Sequence, residues 1–167
     1  MTQIQRKFNA FVAGQSLHLE VEGLTPPNVN DHLETINGGG MLGELDIALG
    51  LQKLEGGFKV NSRNKLIMKQ IGLAPGTRKK ITFRSVNKSE IDGTQEDEVI
   101  SMLGRLNADQ GSWASQSVSN TDLKVNSIVF YKHVMAGEVI HHIDFLNSIC
   151  IVDGVDQWAD VRSGLGF

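Results

Sequence analysis

Apolar and polar residues alternate along much of the chain, the period-2 pattern of strands with one face buried. Lys7–Gly14 begins it, with Phe8, Ala10 and Val12 on one face, and Gly14 with Gln15-Ser16 supplies a turn. Leu17–Gly23 alternates most cleanly, Leu17, Leu19 and Val21 inward against His18, Glu20 and Glu22 outward, and predicts the return arm of a hairpin. Pro26-Pro27 ends that ladder because neither residue donates a backbone hydrogen bond, and Asn28–Ile36 reads as a polar connector or extended arm. Lys79–Val86 turns Ile81 and Phe83 inward and Lys80, Thr82 and Arg84 outward. Leu123–Val134 is apolar and β-branched, a core strand that Ala136-Gly137 turns back on itself. Beyond it, Val139, His141, Ile143 and Phe145 share one face and Ile140, His142, Asp144 and Leu146 the other. Both faces are apolar, which predicts one long strand covered on both sides, running through Cys150–Val152 to a tight turn at Asp153-Gly154.

A helical period appears over Asn61–Leu73. Asn61 or Ser62 would cap it, Leu66, Ile67 and Ile71 form its apolar stripe, and Gly72 with Pro75-Gly76 ends it. Arg63, Lys65 and Lys69 then lie on a solvated face. Asn87–Glu98 is polar and acidic around Asp92-Gly93, a hairpin tip or loop; Val99–Leu106 fits a strand or a short helix. Asn107–Asn120, rich in Ser, Asn and Gly around Trp113, reads as a loop. The pattern predicts a mainly β (α+β) fold, antiparallel strands with one flanking helix, as a single domain over residues 1–167.

Composition narrows the function classes. A chain of 167 residues with net charge −3 supports one core and lacks the basic excess of a nucleic-acid-binding surface. Eighteen glycines against three prolines favour turns and close backbone approaches over a helical bundle. One cysteine leaves no intrachain disulfide, and the usage suits a reducing compartment. No apolar run is long enough to span a bilayer and the N-terminus lacks a signal-peptide pattern, so neither membrane anchor nor secretion is expected.

Candidate chemistry is sparse. His133, His141, His142 and Asp144 invite a zinc or general-base reading, but His141 and His142 point to opposite faces of a strand. Cys150 between Ile149 and Ile151 reads as a small buried hydrophobe. The glycines Gly38–Gly40 and Gly43 lack the Lys-Ser/Thr of a phosphate loop and are followed by the acids Glu44 and Asp46, which repel phosphate. The acids of Asn87–Glu98 lack the ligand spacing of a calcium loop. No catalytic residue, cofactor or metal site is expected, and the sequence offers no enzyme.

The C-terminal thirty residues carry more information. Ile143-Asp144-x-x-Asn147, Asp153-Gly154-Val155-Asp156, Arg162 and the terminal Gly166-Phe167 resemble the end of the major tail tube proteins of contractile-tailed phages and phage-tail-like bacteriocins. Gln157, Trp158 and the acidic insert Asn87–Glu98 depart from that family's pattern. The resemblance implies a β-sandwich or half-barrel with a flanking helix and a long projecting hairpin arm. That arm would open at Gly38, Gly39, Gly40, Met41 and Leu42, run outward with Leu45, Ile47 and Leu49 alternating, and return at Gly56, Gly57 and Phe58. Such apolar residues are an aggregation hazard unless a partner covers them. It also implies hexameric rings stacked into a hollow tube, with Ile143, Asp144, Asn147, Gly154, Val155, Asp156, Arg162, Gly166 and Phe167 in a subunit-contact strand and tail. Glu20, Glu22, Glu44 and Asp46 become candidates for lumen or ring-contact surfaces. The implied partners are further copies of the chain, a tail sheath protein, and baseplate and tape-measure proteins, with DNA passing through the lumen without specific binding. Its implied place is the virion tail, assembled in the cytoplasm of a host bacterium. The alternatives are a tube of the type VI secretion kind and a small β-barrel binding module.

Overall fold

The computed structural model describes residues 2–167. Among the described residues twelve strands and two short helices follow one another, and every strand pair is antiparallel. The main ladder runs in the order β12 (Val155–Asp156), β11 (Ile149–Val152), β10 (Glu138–Asp144), β9 (Thr121–Met135), β8 (Gln95–Asp109), β7 (Lys79–Ser89), β1 (Gln3–Val12) and β2 (Gln15–Ser16). Three of its hairpins close with two-residue turns at Ala13-Gly14, Ala136-Gly137 and Asp153-Gly154. In each the first residue has φ of 49° and the second a φ between 76° and 85°. These are the mirror-image turns whose twist matches that of the flanking strands, and Gly takes their second position without a Cβ penalty.

A fork turns this ladder into a two-sided core. One edge of β9 pairs with β8, while the other is shared: Phe130–Met135 pairs with β10, and Thr121–Val125 pairs with β6 (Gly56–Val60). β6 in turn pairs with β3 (Val21–Thr25). Where the edge changes partner, Ser127 has φ of 52° and the register with β8 shifts around Gly104. A Cβ on Gly104 would sit 2.8 Å from Val125 Cγ1 and 3.1 Å from Asn126 O, so the bulge closes onto bare backbone. The forked pair folds over the inner face. Phe58 of β6 meets Phe83 of β7 edge-on at 5.9 Å, although β9 and β8 separate them in the ladder. Ala10, Val12, Ile81, Met102, Leu106, Val125 and Ile143 fill the space between. The result is a curled, half-barrel-like sheet that does not close.

The predicted strands Lys7–Gly14, Lys79–Val86 and Leu123–Val134 are present, and Val99–Leu106 resolves as strand, with Ile100, Met102 and Leu106 inward. Asn87–Glu98 is a hairpin whose tip is Glu90–Thr94. Leu17–Gly23 is not one strand. Leu17 is buried, but its carbonyl accepts from the amides of Glu20 and Val21, so the chain makes a turn that leaves Leu19 81% exposed. The long strand expected from Glu138 to Val152 is two, because Phe145–Ser148 reverses direction and lays β11 back on β10.

The helix expected over Asn61–Leu73 shrinks to α1 (Lys65–Met68). Its cap is Asn64, whose side chain accepts from Leu66 N at 2.8 Å, while Asn61 N is bonded to the carbonyl of Glu20. Beyond α1, where the helix was expected to end, Arg105 donates to the carbonyls of Gly72 and Leu73 at 3.3 and 2.9 Å. Only Ile67 of the expected stripe is fully buried; Leu66 faces out. A second helix, α2 (Ala159–Leu165), follows the last hairpin.

Candidate functional site

The projecting hairpin forms its own two-stranded sheet. β4 (Asp31–Ile36) and β5 (Leu45–Leu51) pair only with each other, in register Asp31 to Leu51 and Ile36 to Leu45. At about 3.3 Å per residue, β4 carries the tip about 20 Å from its root. The outward strand is thus the segment Asp31–Ile36 taken for a connector, and Leu45, Ile47 and Leu49 lie on the way back. Gly56, Gly57 and Phe58 do not belong to the arm: they form part of β6 in the body, with Phe58 in the core. Gly57 is needed there, since a Cβ would come within 2.8 Å of Leu123 O.

Alternation gives the arm two unlike faces. Leu45, Ile47 and Leu49 share one with Ile36 and Glu34, their cross-strand neighbours; all are exposed. The opposite face holds Leu33, Ala48 and a hydrogen bond from Thr35 Oγ1 to Asp46 at 2.7 Å. At the tip, Gly38, Gly39, Gly40 and Gly43 surround Met41 and Leu42. Met41 folds back, its amide donating to Gly38 O at 2.9 Å and its sulfur accepting from Gly38 N at 3.1 Å. Leu42 is left fully exposed.

The C-terminal motif residues lock a compact end. Asp144 Oδ1 accepts from the amides of Leu146 and Asn147 at 3.0 and 3.1 Å, and its Oδ2 accepts from Asn147 Nδ2 at 2.6 Å, which holds the reversal between β10 and β11. Burial works against the charge of Asp144, but these hydrogen bonds outweigh it and lower its pKa. Gly154 supplies the positive φ of the last hairpin turn, and Val155 stands exposed in β12. Asp156 pairs with the Arg162 guanidinium, which holds its carboxyl below the usual range, and accepts from Trp158 N at 3.0 Å. Arg162 also donates to Ser148 O at 2.8 Å, tying α2 to the turn that Asp144 caps. Gly166, with φ of 82°, ends α2 by donating to the carbonyls of Arg162 and Ser163, and Phe167 N reaches Arg162 O. Ile143 is the one residue of the motif that is fully buried. Val161, Leu165 and Phe167 are exposed. The capping signals of α2, Asp160 in its first turn and Gly166 past its end, were in the sequence and were masked by its glycines.

The four candidate acids occupy two places. Glu20 accepts from Asn64 Nδ2 at 3.0 and 3.2 Å, and Glu22 pairs with Lys59 at 3.5 Å, both on the body. Glu44 and Asp46 lie on the arm.

The histidines divide as strand geometry requires. His133 bonds Glu98 at 2.7 Å and stacks on His141 at 6.1 Å, whereas His142 meets Phe130 on the other face. Among the described residues no set of three or more His, Cys, Asp or Glu side chains is placed to hold a metal, and no helix is long and apolar enough to cross a membrane. Cys150 is buried, and desolvation followed by the charges of Asp156 and Asp31 pushes its thiol pKa up.

No curated protein matches the sequence. Among solved structures, the chain resembles one from a cryo-EM study of an extracellular contractile injection system, the PVC sheath/tube terminator in its extended state. That likeness has 9% identity and a TM-score of 0.48, covering 77% of this chain and 92% of the other. The model of the family described as phage tail tube protein FII matches residues 2–166. The chain therefore belongs to the phage tail tube protein FII family and is a structural protein of a tail tube.

Proposed function

We propose that the protein is the repeating subunit of a contractile machine's inner tube, six copies to a ring and rings stacked into a hollow conduit. The observation that carries this reading is the arm. Among the described residues, a two-stranded ribbon about 20 Å long keeps its apolar face exposed, and repeated neighbouring copies would supply a cover. Val155, Val161, Leu165 and Phe167 would add a second contact surface beside the locked C-terminal end. The open edge of β1, which β2 covers only at Phe11 and Val12, would pair with a strand of the adjacent copy and remove the exposed ladder. Sheath would surround this tube, with baseplate and tape-measure proteins at its end and within it. DNA or other cargo would pass through without specific binding, in a particle assembled in the host cytoplasm. The role needs mechanical rigidity and no catalysis. Of the four acids, Glu44 and Asp46 fit ring contacts through the arm, whereas Glu20 and Glu22 are engaged within the body.

The test is negative-stain electron microscopy of the concentrated full chain beside a variant in which residues 31–51 are replaced by a short Gly-Ser linker. Hollow rods or six-fold rings from the full chain alone would support the reading. Rods from both would remove the arm from assembly, and dispersed subunits from the full chain, even with baseplate added, would count against self-assembly.

A further inference from the structure

Charge along the chain is segregated between the arm and one tract of the body. From Leu24 to Gln52 there is no Lys or Arg, and the arm carries Asp31, Glu34, Glu44 and Asp46. From Gly56 to Ser89 there is no Asp or Glu, and the tract holds nine of the 16 Lys and Arg residues. It spans β6, α1, the turn after it and all of β7, ending in the run Arg78-Lys79-Lys80 before Ile81. Arg78 is fixed by bonds to the carbonyl and hydroxyl of Ser127, both at 3.3 Å, while Lys80 is exposed.

Lys80 stands at an apolar groove on the outer face of the sheet. The groove has a volume of about 350 Å³ and is lined by Leu103, Val129, Phe130 and Leu146, with Lys80 and Asp144 at its margin. Asp144 is held in its own turn by Asn147 and two backbone amides, and Lys80 is the cation of the lining. The arm presents the complementary pattern: Ile36, Leu45, Ile47 and Leu49 on one face with Glu34 among them, while Asp46 lies on the opposite face with Thr35.

We propose that the acidic arm of one copy docks its apolar face into the Lys80–Phe130 groove of a second copy, its Glu34 carboxylate meeting the Arg78–Lys80 run. The proposal rests on the self-assembly described above and names the surface the arm takes. Charge complementarity of this kind fixes partner and orientation more than affinity, while the apolar contact supplies the buried area. Because the arm and the groove are different patches, the contact is head-to-tail and propagates into an extended assembly instead of closing as a two-fold dimer.

The experiment uses the full chain as wild type, Lys80→Glu, Glu34→Lys and the double variant. Assembly is followed by sedimentation and electron microscopy at low and high salt, and folding by circular dichroism. Each single reversal should raise the concentration needed for rods about fivefold, the effect of about 1 kcal/mol at one contact, and the double variant should recover most of that loss. The salt dependence should weaken in the single variants. A second measurement does not depend on charge: Leu45→Cys mixed with Leu146→Cys should give an oxidised dimer joining two different chains. Rods indifferent to both reversals, or a double variant worse than either single one, would overturn the docking surface and leave the tube reading intact. Binding of short duplex DNA by wild type that Lys80→Glu abolishes, with rods unchanged, would assign the basic run to phosphates and also overturn it. A wild-type chain forming no rods under any condition would overturn the self-assembly on which the proposal stands.

Discussion

Ile143→Ala separates the cohesion of the subunit from that of the tube. Ile143 opens the C-terminal motif, is 1% exposed, and lies between Tyr131 of β9 and Cys150 of β11. The substitution removes three carbons, a transfer loss of about 2.5 kcal/mol at about 0.8 per methylene. A cavity contribution adds to this, because the position is held from both sides by paired strands and collapses poorly. The expected loss is about 3–4 kcal/mol, within the range of about 2–5 for such truncations. Ile143→Val should lose only about 1 kcal/mol. The assay is urea unfolding of the unassembled subunit. With a slope of about 2 kcal/mol per molar, the midpoint should fall by about 1.5–2 M with the slope unchanged. Leu146→Ala, three residues on but 73% exposed, should leave the midpoint within about 0.5 kcal/mol of wild type. A loss below about 1 kcal/mol for Ile143→Ala would refute the reasoning, because β10–β11 would then lie outside the cooperative core.

Three further outcomes follow from the same packing. Gly57→Ala should destabilise the subunit by about 1–3 kcal/mol, since its Cβ would press on Leu123 O at 2.8 Å, and thermal unfolding measures this. His141 has its pKa lowered from 6.5, first by desolvation and then by the neighbouring His133, so the unfolded chain takes up its proton at higher pH than the folded one. Its contribution is full above about pH 6.5 and is lost as pH falls towards the lowered value. Glu98 and Tyr131 flank His133, the ring stacked on His141, and His141→Gln should flatten the stability profile below pH 6.5, whereas an unchanged profile would remove the pair from the acid response. Cys150, buried and with its thiol pKa raised, should react slowly with iodoacetamide in the native subunit and rapidly in urea; equal rates would show that the β10–β11 end opens freely.

Alternation and turn chemistry act over a few residues, and what depends on them was legible. Ala136-Gly137 and Asp153-Gly154 form the expected reversals, and Ile81, Phe83 and Val125 face inward as their period requires. The same local logic separated His141 from His142. It failed at Leu19, because the turn accepted by Leu17 O opposes the alternation around it. It also missed the reversal at Phe145–Ser148, where the Asp144 carboxylate gathers amides that no hydrophobic pattern records.

The sequence by itself determined an antiparallel, mainly β subunit with a C-terminal motif of the tail tube kind, since strand faces, tight turns and capping acids are written within a few residues. The tertiary structure alone decided which strands make the arm, where the helix stops and how one ladder yields two layers. Arg105 holds the Leu73 carbonyl, past the end of α1, from 32 residues away, Gly56–Phe58 joins the body because β9 offers it an edge, and that edge exists only where Gly104 admits the bulge at Ser127. Those outcomes depend on contacts distant in sequence, whose free energy appears only once the chain has brought the partners together.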